Sequence, residues 1–377
     1  MRLIIFISSM RGGGAERVTA NLANHWAAQG WKVTIVTLAL LSDDFYELSP
    51  AVTRIALTLD GNSRNSLVGM VQNLRRVMAL RRVLRKIQPD IALGMMTSAN
   101  VLLALSSFGL RIRAIGSEHV HPAQYPLSPL WEGLRRHIYG WLGAVTALTG
   151  ESACWLKAHT NVRRVTVIPN AAPWPLPVQE PKVKPESVCS LGRKVLLGVG
   201  RLEAQKGFDW LLEAFAALAQ KHPDWDLVIL GEGSLRTMIE HQVQTVGLEK
   251  RIFIPGRVGN VGDWYARADL YVMSSRFEGF PNTLAEALAY GLPAVSFDCD
   301  TGPRDIIRHE IDGLLVPPGD VASLTAALKR LMSDADLRQR FAERAVEARD
   351  RFSIERIAGM WEELFEGVSH EQPRIYP

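Results

Sequence analysis

The chain is poor in cysteine, in long apolar runs and, over one stretch, in acidic residues. Its three cysteines, Cys154, Cys189 and Cys299, are scattered and form no C-x-x-C pair. That argues against a disulfide framework or a structural zinc site and fits a reducing compartment. No segment approaches the ~18 consecutive apolar residues of a membrane-spanning helix. The opening MRLIIFISSM holds only a short apolar run and leads into RGGGAER without a small-residue cleavage pattern, so it reads as a buried first strand and not as a signal peptide. The second apolar run, KVTIVTLALL, has no acid at its end. A nicotinamide-dinucleotide fingerprint needs that acid and a G-x-G-x-x-G turn, and is set aside.

What is present points to a folded protein of two domains. The 377 residues are 47% hydrophobic and 22% charged, an ordinary globular balance at about twice the length of one domain. The net charge of +4 is unevenly spread: residues 1–170 hold 19 Lys+Arg against 9 Asp+Glu, and residues 171–377 hold 24 against 30. A basic first half expects an anionic partner, whether nucleic acid, anionic lipid or a phosphorylated acceptor.

Strand-like runs alternate with helical patterns. LIIFIS, KVTIVTL, DIALGMM, RAIGSE and VTVIPN are separated by helices near Glu16–Gln29 and Leu67–Ile87 and by further helical segments. This βαβ rhythm predicts a parallel sheet covered by helices on both faces. NAAPWPLPVQEPKVKPES, with five prolines between residues 170 and 187, reads as a linker. The rhythm restarts in KVLLGVGRL, DLVILGEG, IFIPGRV, DLYVMSS and PAVSFD. The expected fold is α/β: two Rossmann-like, doubly wound domains facing a central cleft, with ligands beyond the carboxyl ends of the strands.

Four motifs carry chemistry. GGGAER (Gly12–Arg17) follows the first strand and opens a helix. Gly13 and Gly14 let backbone approach a phosphate at a helix start, although a ligand-free tight turn explains the same pattern. GRLEAQKG (Gly200–Gly207) sets Arg201 and Lys206 past a strand end, where a guanidinium and an ammonium suit a diphosphate, or are merely solvated. In FEGFPNTLAEALAYG, Glu278 and Glu286 bracket a helix start. Asn282 or Thr283 is expected to cap that helix and leave the Thr283 and Leu284 N–H groups aimed at an anion. GSEHVHP places His119 at a strand end, where a histidine is either functional or a structural polar residue.

The spacing E-x7-E, with GR…KG upstream and GLP…D…GP…DGLLVPPGD downstream, resembles the retaining GT-B glycosyltransferases of family 4, from Met1 to about Phe352. The resemblance implies that Arg201 and Lys206 hold a donor diphosphate and that Glu278 contacts the donor sugar. Glu286 would bind the ribose, Arg257 and Val258 would read the base, and His119 would face the sugar. Gly279, Phe280, Asn282, Thr283 and Leu284 complete the implied donor site, with Gly13 and Gly14 as the glycine loop. The donor is then a UDP-sugar, no cofactor or metal is needed, and the acceptor is a growing glycan, expected on a polyprenyl diphosphate; no nucleic acid is a partner. Residues 1–170 would form an acceptor-side domain to which a helix in 354–377 returns, 171–187 the linker, and 188–353 the donor domain. A UDP-N-acetylglucosamine 2-epimerase of the same fold is the alternative reading.

Two further features stand outside these motifs. Asp298-Cys299-Asp300 imitates a D-x-D metal motif, but two acids alone are an incomplete metal site. Leu67–Ile87 contains six basic residues and no acid, and five of the six fall within about 140° of a helical wheel. Its Arg75, Arg82 and Lys86 suit an anionic membrane surface, as against a merely solvated face. The expected location is therefore the cytoplasm, peripheral on the inner face of the cell membrane.

Overall fold

The computed structural model describes residues 1–61 and 66–369. The chain divides into two compact units. One comprises Met1–Ala171 with the chain from Ile354, and the other Ala172–Ser353.

The first unit alternates β1 (Arg2–Ile7), α1 (Gly14–Ala28), β2 (Lys32–Thr37), β3 (Thr53–Ala56), α2 (Ser66–Ile87), β4 (Ile91–Met95), α3 (Thr97–Ser107), β5 (Arg113–Glu118), α4 (Pro129–Ile138), β6 (Ala144–Ala147), α5 (Gly150–His159) and β7 (Val165–Val167). The strands are parallel, in the order β3-β2-β1-β4-β5-β6-β7. The uninterrupted apolar run of β1 follows from burial on both faces, since successive side chains point oppositely. Leu3, Ile5 and Ile7 pack with Trp26 of α1, while Ile4 and Phe6 pack with Leu80 and Leu84 of α2 and Leu102 of α3.

The second unit continues with β8 (Lys194–Val199), α6 (Phe208–Ala219), β9 (Trp225–Leu230), α7 (Arg236–Thr245), β10 (Ile252–Gly256), α8 (Val261–Arg267), β11 (Leu270–Met273), α9 (Asn282–Ala289), β12 (Ala294–Phe297), α10 (Pro303–Ile306), β13 (Gly313–Val316), α11 (Val321–Ser333), α12 (Ala335–Ala345) and α13 (Ala348–Arg351). Its sheet, also parallel, runs β10-β9-β8-β11-β12-β13. In both sheets the winding reverses beside the first strand of the unit, between β1 and β4 and between β8 and β11. Such switch points open a crevice between diverging loops.

The last helix, α14 (Ile354–Ser369), is amphipathic and belongs to the first unit. Its Trp361 and Phe365 are buried in the layer that holds Trp26, and the Trp26 indole N–H donates to Glu362 over 3.0 Å. The expectation for 354–377 extends into residues 370–377, which lie outside the described residues.

Two sequence expectations differ from the structure. The proline-rich segment read as a linker is tied to the second unit from residue 172 on. Gln179 N–H donates to Gly259 O over 3.0 Å, Gly259 N–H to Pro181 O over 2.7 Å, and the Asn260 side chain bonds Val183 N–H and C=O, each over 3.0 Å. Backbone without helical or strand periodicity is held here by pairing with a loop distant in sequence. The basic helix α2 also differs. Leu80 and Leu84 are buried as the periodicity requires, but Arg76 is drawn in to Leu59 O and Gly61 O, and Arg81 to Ser106 O and Phe108 O. Arg75, Arg82, Arg85 and Lys86 stay exposed. They share the outer face with Val71, Leu74 and Met78, which are 50%, 57% and 42% exposed.

Candidate functional site

In the second unit the site grows from two loops at the switch point. β8 and β11 are neighbours, so the segments leaving their carboxyl ends lie side by side. The first makes a short 3-10 turn over Ala204–Lys206 and reverses at Gly207, whose φ of +60° favours glycine. A Cβ there would lie 2.1 Å from Ser274 O, so only a glycine permits this approach of the two loops. Four further bonds join them. Ser274 Oγ donates to Lys206 O over 3.0 Å, Gln205 Nε2 to Phe277 O over 3.0 Å, and Arg276 N–H to Gln205 O over 2.7 Å. The Arg276 guanidinium donates to Ala204 O over 2.7 Å, pairs with Asp209 and lies 3.9 Å over the Trp210 ring.

This scaffold brings Lys206 and Glu278 together. The Lys206 ammonium donates to Glu278 Oε1 over 2.5 Å, and Ser275 Oγ donates to the same oxygen over 2.6 Å. The two side chains are 16% and 8% exposed. An ammonium has three donors, so Lys206 keeps donor capacity for an anion while neutralising the carboxylate. The Thr301 hydroxyl, from the loop after β12, donates to Glu278 O and braces the turn from behind. Arg201, at the mouth of the same loop, is exposed.

Glu286 lies in α9, is buried, and accepts from the Tyr265 hydroxyl over 3.2 Å. The capping expectation is corrected. The N-cap is Pro281, with no side-chain cap bond; Asn282 is already helical, and the Thr283 hydroxyl accepts from Tyr271 over 2.8 Å. Leu284 N–H donates to Pro281 O over 3.0 Å, so it is not aimed at an anion, and the Leu284 side chain is fully buried. The Phe280 ring is buried edge-to-face against Phe352, at 5.7 Å between centroids. Gly279 is half-buried in the turn between Glu278 and Phe280. After β10, Arg257 is exposed and Val258 buried.

Asp298 is held by Arg304 through two hydrogen bonds of 2.9 and 3.1 Å. The Cys299 thiol is buried against Ser275 O and pushed up to about 12 by burial. Among the described residues no cluster of three or more His, Cys, Asp or Glu side chains stands in metal-binding proximity.

In the first unit, His119 follows β5 and is 8% exposed. Burial lowers its pKa to about 4, so the ring is neutral near pH 7. A hydroxyl chain engages one of its ring nitrogens. Thr146 Oγ1 donates to Ser117 Oγ over 2.8 Å, and Ser117 Oγ sits 3.1 Å from His119 Nε2. The Ser117 hydroxyl and Nε2 share one hydrogen bond, which occupies that ring nitrogen. Nδ1 is buried and has no hydrogen-bond partner among the described residues, so it is the ring nitrogen open to a ligand. Beside it, Glu118 accepts from Thr97 Oγ1 over 2.7 Å and from the Tyr139 hydroxyl; burial raises its pKa against these bonds. The glycine loop is partly filled by its own chain: the Glu16 carboxylate folds back over Gly13, where a Cβ would meet Glu16 Oε2 at 2.2 Å. Burial raises the Glu16 pKa. Gly14 is exposed as the first residue of α1.

Ser275, Thr301, Gln205, Tyr265, Tyr271, Ser117 and Thr146 were not singled out in the sequence. Gln205 and Ser117 stand inside quoted motifs but carry no signal of their own there, and no motif marks the others, because their partners are supplied by contacts distant in sequence. Arg276 alone had a local signal, a base two residues before Glu278.

Comparison with known proteins covers both units. The family described as Glycosyltransferase Family 4 matches residues 12–173, and that described as Glycosyl transferases group 1 matches residues 179–348. An exopolysaccharide phosphotransferase of Streptomyces coelicolor is 38% identical over 59% of this chain and 23% of its own length. A Campylobacter jejuni protein is 26% identical over 98% of this chain and 99% of its own. It is named GalNAc-alpha-(1->4)-GalNAc-alpha-(1->3)-diNAcBac-PP-undecaprenol alpha-1,4-N-acetyl-D-galactosaminyltransferase. Sucrose-phosphate synthase from Thermosynechococcus elongatus shares the fold, with a TM-score of 0.82 and 20% identity over 97% of this chain and 98% of that one. With two parallel doubly wound units, paired basic and acidic loops at the switch point and a family match to each half, the chain belongs to the glycosyltransferases of the GT-B fold.

Proposed function

We propose that the protein transfers a hexosyl or N-acetylhexosaminyl group from a UDP-sugar, with retention of anomeric configuration, to a growing glycan on a polyprenyl diphosphate in bacterial polysaccharide or glycoprotein glycan assembly. The observation that carries this reading is the Lys206–Glu278 pair, a largely buried ammonium held beside a carboxylate at the crevice of the second sheet. In this reading Lys206 and Arg201 neutralise the departing diphosphate, where negative charge develops. Glu278 accepts from sugar hydroxyls and Glu286 from the ribose, while backbone at Arg257 and Val258 reads the base. His119 donates from Nδ1 to a donor-sugar oxygen. The donor phosphate takes the acceptor proton as the acceptor oxygen attacks from the same face, so catalysis is positional and electrostatic and needs no metal. The Campylobacter relative, named for an undecaprenyl-diphosphate-linked acceptor, supports the lipid-linked class.

The exposed outer face of α2, with Arg75, Arg82 and Lys86 beside Val71, Leu74 and Met78, supports peripheral attachment to an anionic membrane. Among the described residues no helix is long and apolar enough to span one.

The test is a panel of UDP- and GDP-sugars with and without a polyprenyl-diphosphate-linked acceptor, following nucleotide release and product anomer in the presence of EDTA. Acceptor-dependent UDP release with retained configuration is expected. Interconversion of UDP-N-acetylglucosamine without acceptor would replace the transferase reading with the epimerase one. Loss of turnover in EDTA that returns with Mn²⁺ would overturn metal independence.

A further inference from the structure

In the first unit the glycine loop and His119 lie at the carboxyl edge of the sheet, after β1 and β5. At its opposite, amino-terminal edge is a cavity of about 580 Å³, within the range that holds small molecules. β1 and β2 begin there in register, Arg2 beside Lys32, and α2 ends there with Lys86 and Ile87. Arg2, Lys32 and Lys86 all line the cavity, and no Asp or Glu does. Arg2 is paired outside the lining with Asp90 at 3.2 Å. Among the described residues neither Lys32 nor Lys86 has an ion-pair partner, so two of the three positive charges stay uncompensated.

The rest of the wall is largely apolar: Trp31, Ile55 and Val83 face the same space. Trp31 is held by stacking on Trp26, with centroids 5.4 Å apart and planes 4° apart. This combination selects the ligand class. A free phosphate uses the ammonium groups but leaves the apolar wall in water. A neutral lipid covers the wall but leaves the cations without a counter-charge. A phosphate carried on an apolar chain satisfies both, its oxygens accepting from Lys32 and Lys86 and its first carbons lying against Trp31 and Val83.

We propose that this cavity is a binding site for a phosphorylated lipid, engaged through the phosphate and the adjoining carbons. Within the first unit the site lies at the edge of the sheet opposite His119 and the glycine loop, which follow the carboxyl ends of β5 and β1. It shares Lys86 with the outer face of α2 but differs from it otherwise, because Lys32, Trp31 and Ile55 are not part of that helix.

The test uses the full chain and isothermal titration calorimetry with dihexanoyl phosphatidic acid below its micellar concentration, dihexanoyl phosphatidylcholine and inorganic phosphate. Saturable binding of the phosphatidic acid is expected, about tenfold or more tighter than either of the others. Lys32→Glu, which reverses a charge, and Ala51→Trp, which fills the mouth of the cavity, should each weaken it by about tenfold or more. Both side chains are exposed, so thermal melts and acceptor-dependent turnover should match those of the unaltered protein. Absence of saturable binding, equal affinity for inorganic phosphate, or unchanged affinity in both variants overturns the proposal. Vesicle binding that survives Lys32→Glu while the short-chain lipid is lost leaves the α2 reading intact, so the two can fail separately.

Discussion

The Lys206 ammonium and the Glu278 carboxylate, 72 positions apart in the chain, meet at 2.5 Å because β8 and β11 are neighbours at the point where the second sheet reverses. The pair is mostly withdrawn from water, so each charge depends on the other for compensation. A solvent-exposed loop, as GRLEAQKG reads in isolation, would impose no such dependence.

Lys206→Ala should therefore act twice. Turnover should fall by ~10²–10³, as when a donor to developing charge is removed, and stability should fall by roughly 3 kcal/mol from the unpaired Glu278. Arg201→Ala, at an exposed position, should lower turnover with its melting temperature unchanged. Steady-state kinetics with denaturant melts separate the two, and a Lys206→Ala protein as stable as the parent would contradict the pair's role. Lys206→Met with Glu278→Gln should recover stability without activity.

The His119 ring titrates far below an exposed histidine, at about 4 against 6.5, because burial disfavours its charged form. Between these values the unfolded chain binds a proton that the folded one does not, so stability falls as pH drops through this window. From pH 7 to pH 5 the loss from this group is about 2 kcal/mol. His119→Gln should shrink the acid-induced loss by that amount. The raised pKa of Glu118 contributes with the opposite sign, but is common to both proteins and cancels in the difference. Identical pH–stability curves would remove His119 as a buried neutral ring.

Arg75 and Arg82 project from the outer face of α2 with Leu74 and Met78. Each basic residue near an anionic surface contributes about 1 kcal/mol. Sedimentation with phosphatidylglycerol vesicles at low salt should be abolished by Arg75→Glu with Arg82→Glu and reduced by Leu74→Asp, with donor hydrolysis retained. Release on raising the ionic strength is expected for the parent protein. Equal binding to neutral vesicles would show that charge plays no part.

α14 closes one layer of the first unit. Trp361 is 2% exposed, with its ring 5.8 Å from Phe365. Trp361→Ala should destabilise the protein by about 3–5 kcal/mol, the usual cost of emptying a large buried aromatic site. Truncation before Ile354 should expose the Trp26 layer and unfold the first unit. A truncated chain that melts like the full one would mean that this burial contributes nothing.

The glycine at the reversal was legible as a residue type but not as a contact. Gly207 stands in GRLEAQKG as one loop glycine among several, yet its φ of +60° and the 2.1 Å clash that a Cβ would make with Ser274 O mark it as a junction between loops. The helix start at Asn282 was legible to within a residue, whereas its cap was not. Local sequence offers Asn282 and Thr283 as caps, but Tyr271 from the neighbouring strand takes the Thr283 hydroxyl, and Pro281 stands at the N-cap. The short strands β3 (TRIA) and β6 (AVTA) were not picked out: neither stands in an uninterrupted apolar run bounded by turn residues, as β11 does in DLYVMSS.

By itself the sequence determined the alternation of strands and helices, the parallel character of both sheets, the two-unit organisation and the positions of Lys206, Glu278 and Glu286 at loop and helix starts. These follow from apolar periodicity and glycine placement, which act over a few residues. Only the tertiary structure decided which charges meet. Strand order put Lys206 on Glu278, packing set His119 Nε2 against the Thr146–Ser117 hydroxyl chain, and folding drew Arg76 and Arg81 inward while leaving Arg75 and Arg82 in solvent. Those outcomes depend on distances between segments that are remote along the chain, and a hydrogen bond or ion pair exists only once that distance is set.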